Sequence, residues 1–263
     1  MSEIEHKTAK VIALCGKGGV GKTSLSAMIV KILTQNPKNR VLAIDADPAV
    51  GLSTALGIEV KKTVDDIRGD LVSRLEKGDF EDKAQLLSRL DYEMFSALEE
   101  MDNLAFLAIG RPEKAGCYCK VNEILKDIIA TMADNFDYVV IDGEAGVEQV
   151  NRRVMERASH LILVSDASKK GLNVVQTIQT VSKNAIQYEQ VGLILNRLRS
   201  QDEMNSLKVS PELNCLGWVP EDDTIRSCDI QGLSILEAPE SVAVDAAKNC
   251  LSMLDLPGLH TGT

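Results

Sequence analysis

The sequence contains no apolar run long enough to span a membrane, and its first ten residues are polar, without the apolar core of a signal peptide. It also contains no stripe of basic residues. The net charge is −10, so the concentrated positive surface that nonspecific nucleic-acid binding requires is missing. These absences predict a cytoplasmic protein that binds neither membrane nor nucleic acid.

The chain shows no internal repeat and no low-complexity linker, and 44% of its 263 residues are hydrophobic, which is enough for a sizeable core. We therefore predict a single domain over residues 1–263. Its six cysteines do not suggest a disulfide framework in a chain of this length. The closest pair, Cys117 and Cys119, instead indicates metal or redox chemistry in a reducing compartment.

Apolar runs suited to buried parallel strands alternate with amphipathic stretches of helical period. The runs are Lys10 to Leu14, Arg40 to Ile44, Leu104 to Ile109, Tyr138 to Ile141, His160 to Val164, Val191 to Leu195 and Cys215 to Val219. This alternation predicts an α/β fold, with a doubly wound, mostly parallel sheet and helices on both of its faces. In such folds the ligand binds at the carboxyl ends of the strands.

The segment from Ile58 to Leu104, here termed the acidic insertion, interrupts this alternation. It contains thirteen Asp or Glu and seven Lys or Arg, a local net charge of −6. Apolar residues recur through it at helical spacing, so we predict helices. They are Leu86, Leu87, Leu90, Phe95 and Leu98. The composition leaves open whether these helices present a solvated face or a docking surface for a partner.

Eight consecutive residues between the first predicted strand and the next helix form a phosphate-binding loop pattern. They are Gly16, Lys17, Gly18, Gly19, Val20, Gly21, Lys22 and Thr23, and Ser24 continues into a helix that runs to Gln35. The glycines let backbone N–H groups approach phosphates, Lys22 supplies charge to the outer phosphates, and the Thr23 hydroxyl can ligate Mg²⁺. Because strand, loop and helix are all present, we interpret the loop together with Ser24 as a nucleotide site.

Lys17 is an additional lysine that the phosphate cradle does not need. A lysine flanked by glycines at this position resembles the deviant Walker A motif of the MinD, ParA, ArsA and nitrogenase iron protein class. The resemblance implies that Lys17 contacts the nucleotide bound by the opposite subunit, and therefore an ATP-dependent homodimer. On this ground we place Lys17 among the catalytic residues.

Aspartates follow two of the predicted strands. Asp45 and Asp47 end the second strand, and the class that Lys17 resembles has, at the position of Asp47, a carboxylate that orients or deprotonates the attacking water. The sequence leaves open whether Asp45 assists Mg²⁺ through water or caps the loop. Asp142 ends an apolar strand in the Walker B pattern, so we predict that it holds Mg²⁺ through water.

Asn196 and Arg197 follow another predicted strand, where the same class binds the base. The Asn196 side chain offers a donor and an acceptor that match the adenine edge, and Pro220 lies in what resembles the second base-lining loop. We therefore predict ATP rather than GTP, since a guanine site more typically carries an Asp. For Arg197 the sequence leaves open a direct contact, stacking over the ring, or a surface position.

Cys117 and Cys119 lie in a loop that leads into a predicted helix. A helix N-terminus lowers the pKa of a thiol and favours the thiolate, which binds soft or borderline metals. Two sulfurs leave a tetrahedral ion half ligated, whereas two chains related by a twofold axis supply four thiolates. The pair alone also fits two buried apolar cysteines or a redox pair.

Three motifs together resemble those of CooC-type ATPases, a family that includes AcsF. They are the loop with Lys17, the segment Arg111-Pro112 with Gly116-Cys117-Tyr118-Cys119, and the acidic segment Asp142-Gly143-Glu144-Ala145-Gly146-Val147-Glu148, which departs from the usual sequence of the wider class. The resemblance covers nearly the whole chain and implies an ATPase that inserts nickel into carbon monoxide dehydrogenase or acetyl-CoA synthase. It implies that Cys117 and Cys119 bind Ni²⁺, with Zn²⁺ as the alternative ion, and that ATP hydrolysis is coupled to metal affinity.

Two other functions compete with this one. An iron-sulfur carrier or electron-donating ATPase of the nitrogenase iron protein type places its two cluster ligands in separate segments, and the segment around Asp142 has no cysteine. A positioning ATPase like MinD or ParA acts on membrane or DNA. The tail from Ser241 to Thr263 lacks a basic amphipathic helix, and the net charge is wrong for DNA.

Overall fold

The computed structural model describes residues 8–48, 51–77, 83–111, 119–143, 154, 157–185, 187–257 and 259. The strands within these ranges are β1 (Lys10–Gly16), β2 (Val41–Asp45), β3 (Glu99–Met101), β4 (Leu104–Ala108), β5 (Tyr138–Asp142), β6 (Arg157–Ser165), β7 (Gln187–Leu198) and β8 (Cys215–Pro220). The helices are α1 (Lys22–Thr34), α2 (Gly51–Leu56), α3 (Val64–Lys77), α4 (Lys83–Ser96), α5 (Cys119–Ala133), α6 (Lys169–Ala185), α7 (Gln201–Ser206), α8 (Asp223–Gln231) and α9 (Val242–Leu251). None of these helices is long and apolar enough to cross a membrane.

The strands form one sheet in the order β3-β4-β2-β5-β1-β6-β7-β8. Every neighbouring pair in the described sheet is parallel except β3 with β4. The predicted α/β class and the seven predicted strands are therefore confirmed. Because β1 lies in the middle of the sheet and the chain crosses to both sides of it, the residues that follow β1, β2, β5 and β6 meet at one edge.

Strand β3 was not predicted. Its three residues, Glu99–Met101, pair antiparallel with β4 at the end of the sheet. Buried strands of a parallel sheet appear in a sequence as apolar runs, and a short edge strand that begins with two glutamates contains none. The turn into β4 passes through Asp102, which adopts a positive φ of 42°.

Two hydrophobic clusters cover the two faces of the sheet, because successive side chains of a strand point to opposite faces. In β1, Ala13 and Cys15 belong to one cluster, whereas Ile12 and Leu14 belong to the other. Helices α3 to α6 contribute to the first cluster through Ile67, Leu90, Ile129 and Val175. Helices α1, α2, α8 and α9 contribute to the second through Ile29, Leu52, Ile225 and Ala247.

The acidic insertion contains α3 and α4, as predicted, and both helices pack on the sheet. Leu90 and Met94 are buried, whereas Phe95, expected on the same apolar face, has 57% of its surface exposed. Phe95 lies five residues after Leu90, a rotation of about 140° around the helix, and Met94 is in phase with Leu90 instead. The side chains of Leu86 and Leu87 lie outside the described set.

Candidate functional site

The phosphate loop connects the end of β1 to the first residue of α1. Gly19 and Gly21 adopt positive φ values of 84° and 85°, which L side chains rarely tolerate. A Cβ atom on Gly16 would lie 2.2 Å from the Val164 carbonyl oxygen, and one on Gly21 would lie 2.5 Å from Asn196 Nδ2. Gly19 and Gly21 are therefore required by the backbone conformation, and Gly16 and Gly21 by the close approach of β6 and β7.

The two lysines of the loop point to different places. Lys22 is 8% exposed, and its Nζ donates to the carbonyl oxygens of Gly16 at 3.1 Å and Lys17 at 3.3 Å. The loop thus wraps around the Lys22 ammonium. Lys17 is partly exposed, and its Nζ lies 4.0 Å from Asp166 Oδ2, in the loop that follows β6. This separation agrees with the expectation that the two charges act on different groups.

Thr23 and Asp142, both expected at a magnesium site, are in direct contact. The Thr23 hydroxyl donates to Asp142 Oδ2 at 2.7 Å, and the hydroxyl of Ser26 donates to Oδ1 at 3.1 Å. Burial raises the pKa of the Asp142 carboxyl to about 6, and the hydrogen bonds from Thr23 and Ser26 act in the opposite direction. A hydroxyl and a carboxylate beside a phosphate loop are the oxygen donors that Mg²⁺ takes alongside phosphates, so the residues fit this ion.

Asp45 lies beside Asp142 in the sheet, because the two are register partners in β2 and β5. It is fully buried, and it accepts hydrogen bonds from the backbone N–H groups of Asp47 at 3.1 Å and Leu52 at 2.8 Å. Burial, and next the Asp142 carboxylate, raise the pKa of Asp45 to about 7. Of the two roles left open for Asp45, this geometry matches the loop cap.

Asp47 lies on a cavity of about 470 Å³ that the phosphate loop also lines, together with Gly51 and Thr54 of α2. The predicted catalytic carboxylate and the predicted phosphate cradle thus share one space. Asp45 does not line this cavity, and the backbone contacts it makes hold the start of the Asp47 loop in place.

The residues predicted at the base site line a second cavity of about 430 Å³. It is bordered by Asn196, Arg197 and Pro220, with Val219, Glu221 and Asp222 beside them. Asn196 is 2% exposed, and its Nδ2 donates to the carbonyl oxygens of Val20 at 2.9 Å and Gly21 at 3.3 Å. The amide donor expected to meet adenine is therefore engaged by the phosphate loop.

Arg197 is exposed and has a positive φ of 61°. Its guanidinium lies against Gly21, since a Cβ atom on that glycine would be 3.2 Å from Arg197 Cζ. Arg197 therefore lies at the surface, at the border of both cavities. Contact with the base, either direct or by stacking, stays a prediction.

Some residues of the site were not predicted. Ser26 bonds to Asp142 across 116 residues of chain, and Asp229 of α8 bonds to Ser24 across 205. Both lie in helices whose sequence carries no motif at these positions. The α-helical spacing from Thr23 places Ser26 on the same side of α1, and this was the only sequence signal available for it.

The cysteine motif lies at the boundary of the described residues. Cys117 lies outside them, as do Glu144, Gly146 and Glu148 of the acidic segment, and of Cys119 only the backbone, as the first residue of α5, is described. The expectation that the motif leads into a helix is confirmed, with Leu125, Ile129 and Met132 buried on its inner face. Among the residues that the structure describes, no group of three or more His, Cys, Asp or Glu could hold a metal ion.

The chain matches the family model described as the CobQ/CobB/MinD/ParA nucleotide binding domain over residues 11–235. It is similar to an uncharacterized ATP-binding protein of Methanocaldococcus jannaschii, with 34% identity over 234 residues that cover 88% of this chain and 92% of the relative. It is also similar to the carbon monoxide dehydrogenase accessory protein CooC of Rhodospirillum rubrum, with 26% identity over 233 residues, 85% of this chain and 88% of the relative.

A solved structure with a similar fold is the septum site-determining protein MinD of Pyrococcus horikoshii complexed with Mg-ADP. Its TM-score is 0.64 at 22% identity, and the match covers 95% of this chain and 98% of that one. The likeness supports the fold and its mostly parallel sheet.

Proposed function

Because this chain belongs to the CobQ/CobB/MinD/ParA family of nucleotide-binding domains and is an ATPase, we propose that it uses ATP hydrolysis to deliver nickel to carbon monoxide dehydrogenase or acetyl-CoA synthase. The proposal includes a homodimer and a metal site that Cys117 and Cys119 of both subunits share. The cargo is Ni²⁺, with Zn²⁺ as a competing ion at the same thiolates.

The observation that carries the proposal is the similarity to CooC along 85% of this chain, in a relative whose name assigns it to carbon monoxide dehydrogenase. The Cys117 and Cys119 motif adds the chemistry. Two thiolates from each subunit form a tetrahedral set suited to a borderline ion, and neither subunit alone completes it.

Lys17 supports the dimer from a different part of the molecule. Its side chain leaves the cradle that Lys22 occupies and extends to the partly exposed surface near Asp166. A charge in this position is available to a nucleotide in a second subunit. Binding of ATP and binding of metal would then favour the same associated state.

For hydrolysis, Lys22 and the backbone N–H groups of the loop would hold the phosphates, the Thr23 hydroxyl would ligate Mg²⁺, and Asp142 would hold the ion through water. The ion, when bound, neutralises charge that develops on the phosphate oxygens. Asp47 orients the attacking water and accepts its proton, and the Asp45 contacts to the Asp47 and Leu52 backbone keep that carboxylate at the cavity. Since ATP and the shared ion would both favour the dimer, hydrolysis would be coupled to metal affinity.

Metal titration during analytical sedimentation tests the proposal. Protein prepared without oxygen should bind about one Ni²⁺ per dimer and should associate when metal is added without nucleotide. Cys117→Ser and Cys119→Ser should each lose tight binding nearly as completely as the double variant. Cys215→Ser, at a half-buried cysteine outside the motif, serves as the matched control and should bind normally.

The same experiment separates the competing functions. One ion per monomer without association contradicts the shared site. A brown protein with visible absorbance and bound iron and sulfide favours the iron-sulfur carrier.

A second assay measures the transfer of nickel directly. The nickel-loaded protein and ATP are added to nickel-free carbon monoxide dehydrogenase or acetyl-CoA synthase, and the activation of the enzyme is followed. No activation of either enzyme contradicts nickel delivery.

A further inference from the structure

Three side chains form the junction between the phosphate cavity and the base cavity. Ser24 of α1, Arg197 at the end of β7 and Asp229 of α8 line both spaces. A nucleotide with its phosphates in one cavity and its base in the other must pass between them. The part of the nucleotide that lies there is the α-phosphate and the ribose.

Asp229 already engages the two donors at this junction. The Ser24 hydroxyl donates to Asp229 Oδ2 at 3.1 Å and lies 3.4 Å from Oδ1. The guanidinium of Arg197 donates from Nη2 to the same Oδ2 at 3.4 Å. A hydroxyl and a guanidinium that converge on an oxyanion are the groups that also bind phosphate. The Asp229 carboxylate therefore stands where a phosphate oxygen finds its partners.

We propose that Asp229 acts as an internal substitute for phosphate, which positions Ser24 and Arg197 and is displaced when a nucleotide enters. The proposal depends on ATP binding and not on the nickel function. When the nucleotide displaces it, the Asp229 carboxylate stays close to the α-phosphate, and the two negative charges repel each other. Asp229 thus weakens nucleotide binding and favours the release of ADP.

The arrangement of charge makes this effect measurable. The side chains of Arg197 and Asp229 are 45% and 37% exposed, so water and salt reach the pair. Repulsion between an exposed carboxylate and a phosphate weakens as ionic strength rises, since the Debye length falls from ~30 Å at 0.01 M to ~3 Å at 1 M. A contact that only supports the fold would change the free energy of unfolding and leave the affinity for ADP unchanged.

The test is the ADP dissociation constant of Asp229→Asn and Asp229→Ser, measured by calorimetry at low and high salt. Both variants remove the charge and differ in size, so a common result reflects the charge. We expect ADP to bind about fivefold more tightly at low salt, which is ~1 kcal/mol, and the gain to shrink in 0.5 M salt. The KM for ATP should fall by a similar factor.

Asp223→Asn is the matched control, because Asp223 is an exposed acid of the same helix and lines neither cavity. It should bind ADP like the wild type at both salt concentrations. Weaker ADP binding in both Asp229 variants would show that the carboxylate contacts the nucleotide and would overturn the proposal. Unchanged affinity, or a gain that does not depend on salt, would overturn it as well.

Discussion

The phosphate loop and the acidic insertion hold their charged side chains in opposite ways. At the loop, Lys22, Asp45 and Asp142 are buried and fixed by hydroxyl or backbone groups. In the insertion, several ion pairs have one exposed side chain, such as Lys61 with Glu99 and Arg89 with Glu93. The same chemical groups therefore contribute differently to stability in the two regions. Burial raises the pKa of Asp45 and Asp142, whereas water screens the pairs of the insertion.

Glu93 illustrates the second case. Burial acts to raise the pKa of its carboxyl, but the hydrogen bonds from Lys62 and Arg89 outweigh it, and the pKa is lowered. Because Lys62 and Arg89 both favour the ionised form, the Glu93 carboxylate stays charged over the physiological pH range. The comparison predicts large effects for substitutions at the loop and small ones in the insertion.

Replacing Lys22 should give the largest effect. Lys22→Ala removes the charge at the centre of the loop and leaves the carbonyl oxygens of Gly16 and Lys17 without their donor. We expect nucleotide affinity to fall ~100-fold, as for the loss of a buried charged partner, and turnover to fall further. Calorimetry with ADP and a steady-state ATPase assay measure both.

Lys17→Ala provides the control, because this lysine lies outside the cradle. It should keep most of its affinity for nucleotide and lose ATP-driven dimerisation and turnover. Equal loss of affinity in the two variants, with dimerisation intact in Lys17→Ala, would contradict the assignment of Lys17 to a second subunit.

Asp47→Asn should slow hydrolysis while ATP and Mg²⁺ still bind. Removal of a general base costs ~10²-fold or more in rate, and the amide leaves the size of the side chain unchanged. A single-turnover assay with radiolabelled ATP measures the step directly, and sedimentation should detect a dimer trapped with ATP. Near-normal turnover would exclude Asp47 from the mechanism.

Asp45 predicts a dependence of stability on pH. Its folded pKa of about 7 lies above the ordinary value of 3.8, so the folded state holds the proton more tightly than the unfolded chain. The stability that the protonated Asp45 carboxyl contributes is fully present below the unfolded pKa and is lost as the pH rises through about 7. Asp45→Asn cannot titrate, so its free energy of unfolding relative to the wild type should be higher at pH 8 than at pH 5, by up to ~3 kcal/mol.

Urea denaturation of protein without nucleotide or Mg²⁺ measures this difference. Asp91→Asn, at an exposed aspartate of α4 in the insertion, is a control for the general effect of removing a negative charge. An Asp45→Asn variant that loses stability at both pH values would show that its backbone contacts require the carboxylate.

The smallest effect is expected at Lys62, in the insertion. Its Nζ lies 2.9 Å from Glu93 Oε2 and 3.6 Å from Asp70 Oδ2, in a side chain that is 31% exposed. Lys62→Ala should lower the free energy of unfolding by no more than ~1 kcal/mol, because exposed ion pairs rarely contribute more. A loss several times larger, measured by urea denaturation, would remove the contrast between the two regions.

The central sheet could be predicted because its strands are buried on both faces and therefore appear as continuous apolar runs. Gly16 to Thr23 could be predicted because backbone geometry and phosphate chemistry fix both residue type and spacing. The role of Asn196 could not, since it depends on contacts of its amide with Val20 and Gly21, which are distant in the chain. The same is true of Ser26 and Asp229, whose partners are distant in the chain.

The bond from Asn196 to the phosphate loop also restricts how base preference can change. An Asp in place of Asn196, the substitution that a guanine site would favour, would set a carboxylate against the carbonyl oxygens of Val20 and Gly21, where the amide now donates. The substitution would disturb the loop before it altered the choice of base. A lineage that keeps this contact cannot change its preference from adenine to guanine by one substitution at Asn196. A protein designed to bind guanine would first need another hydrogen-bond donor to the loop.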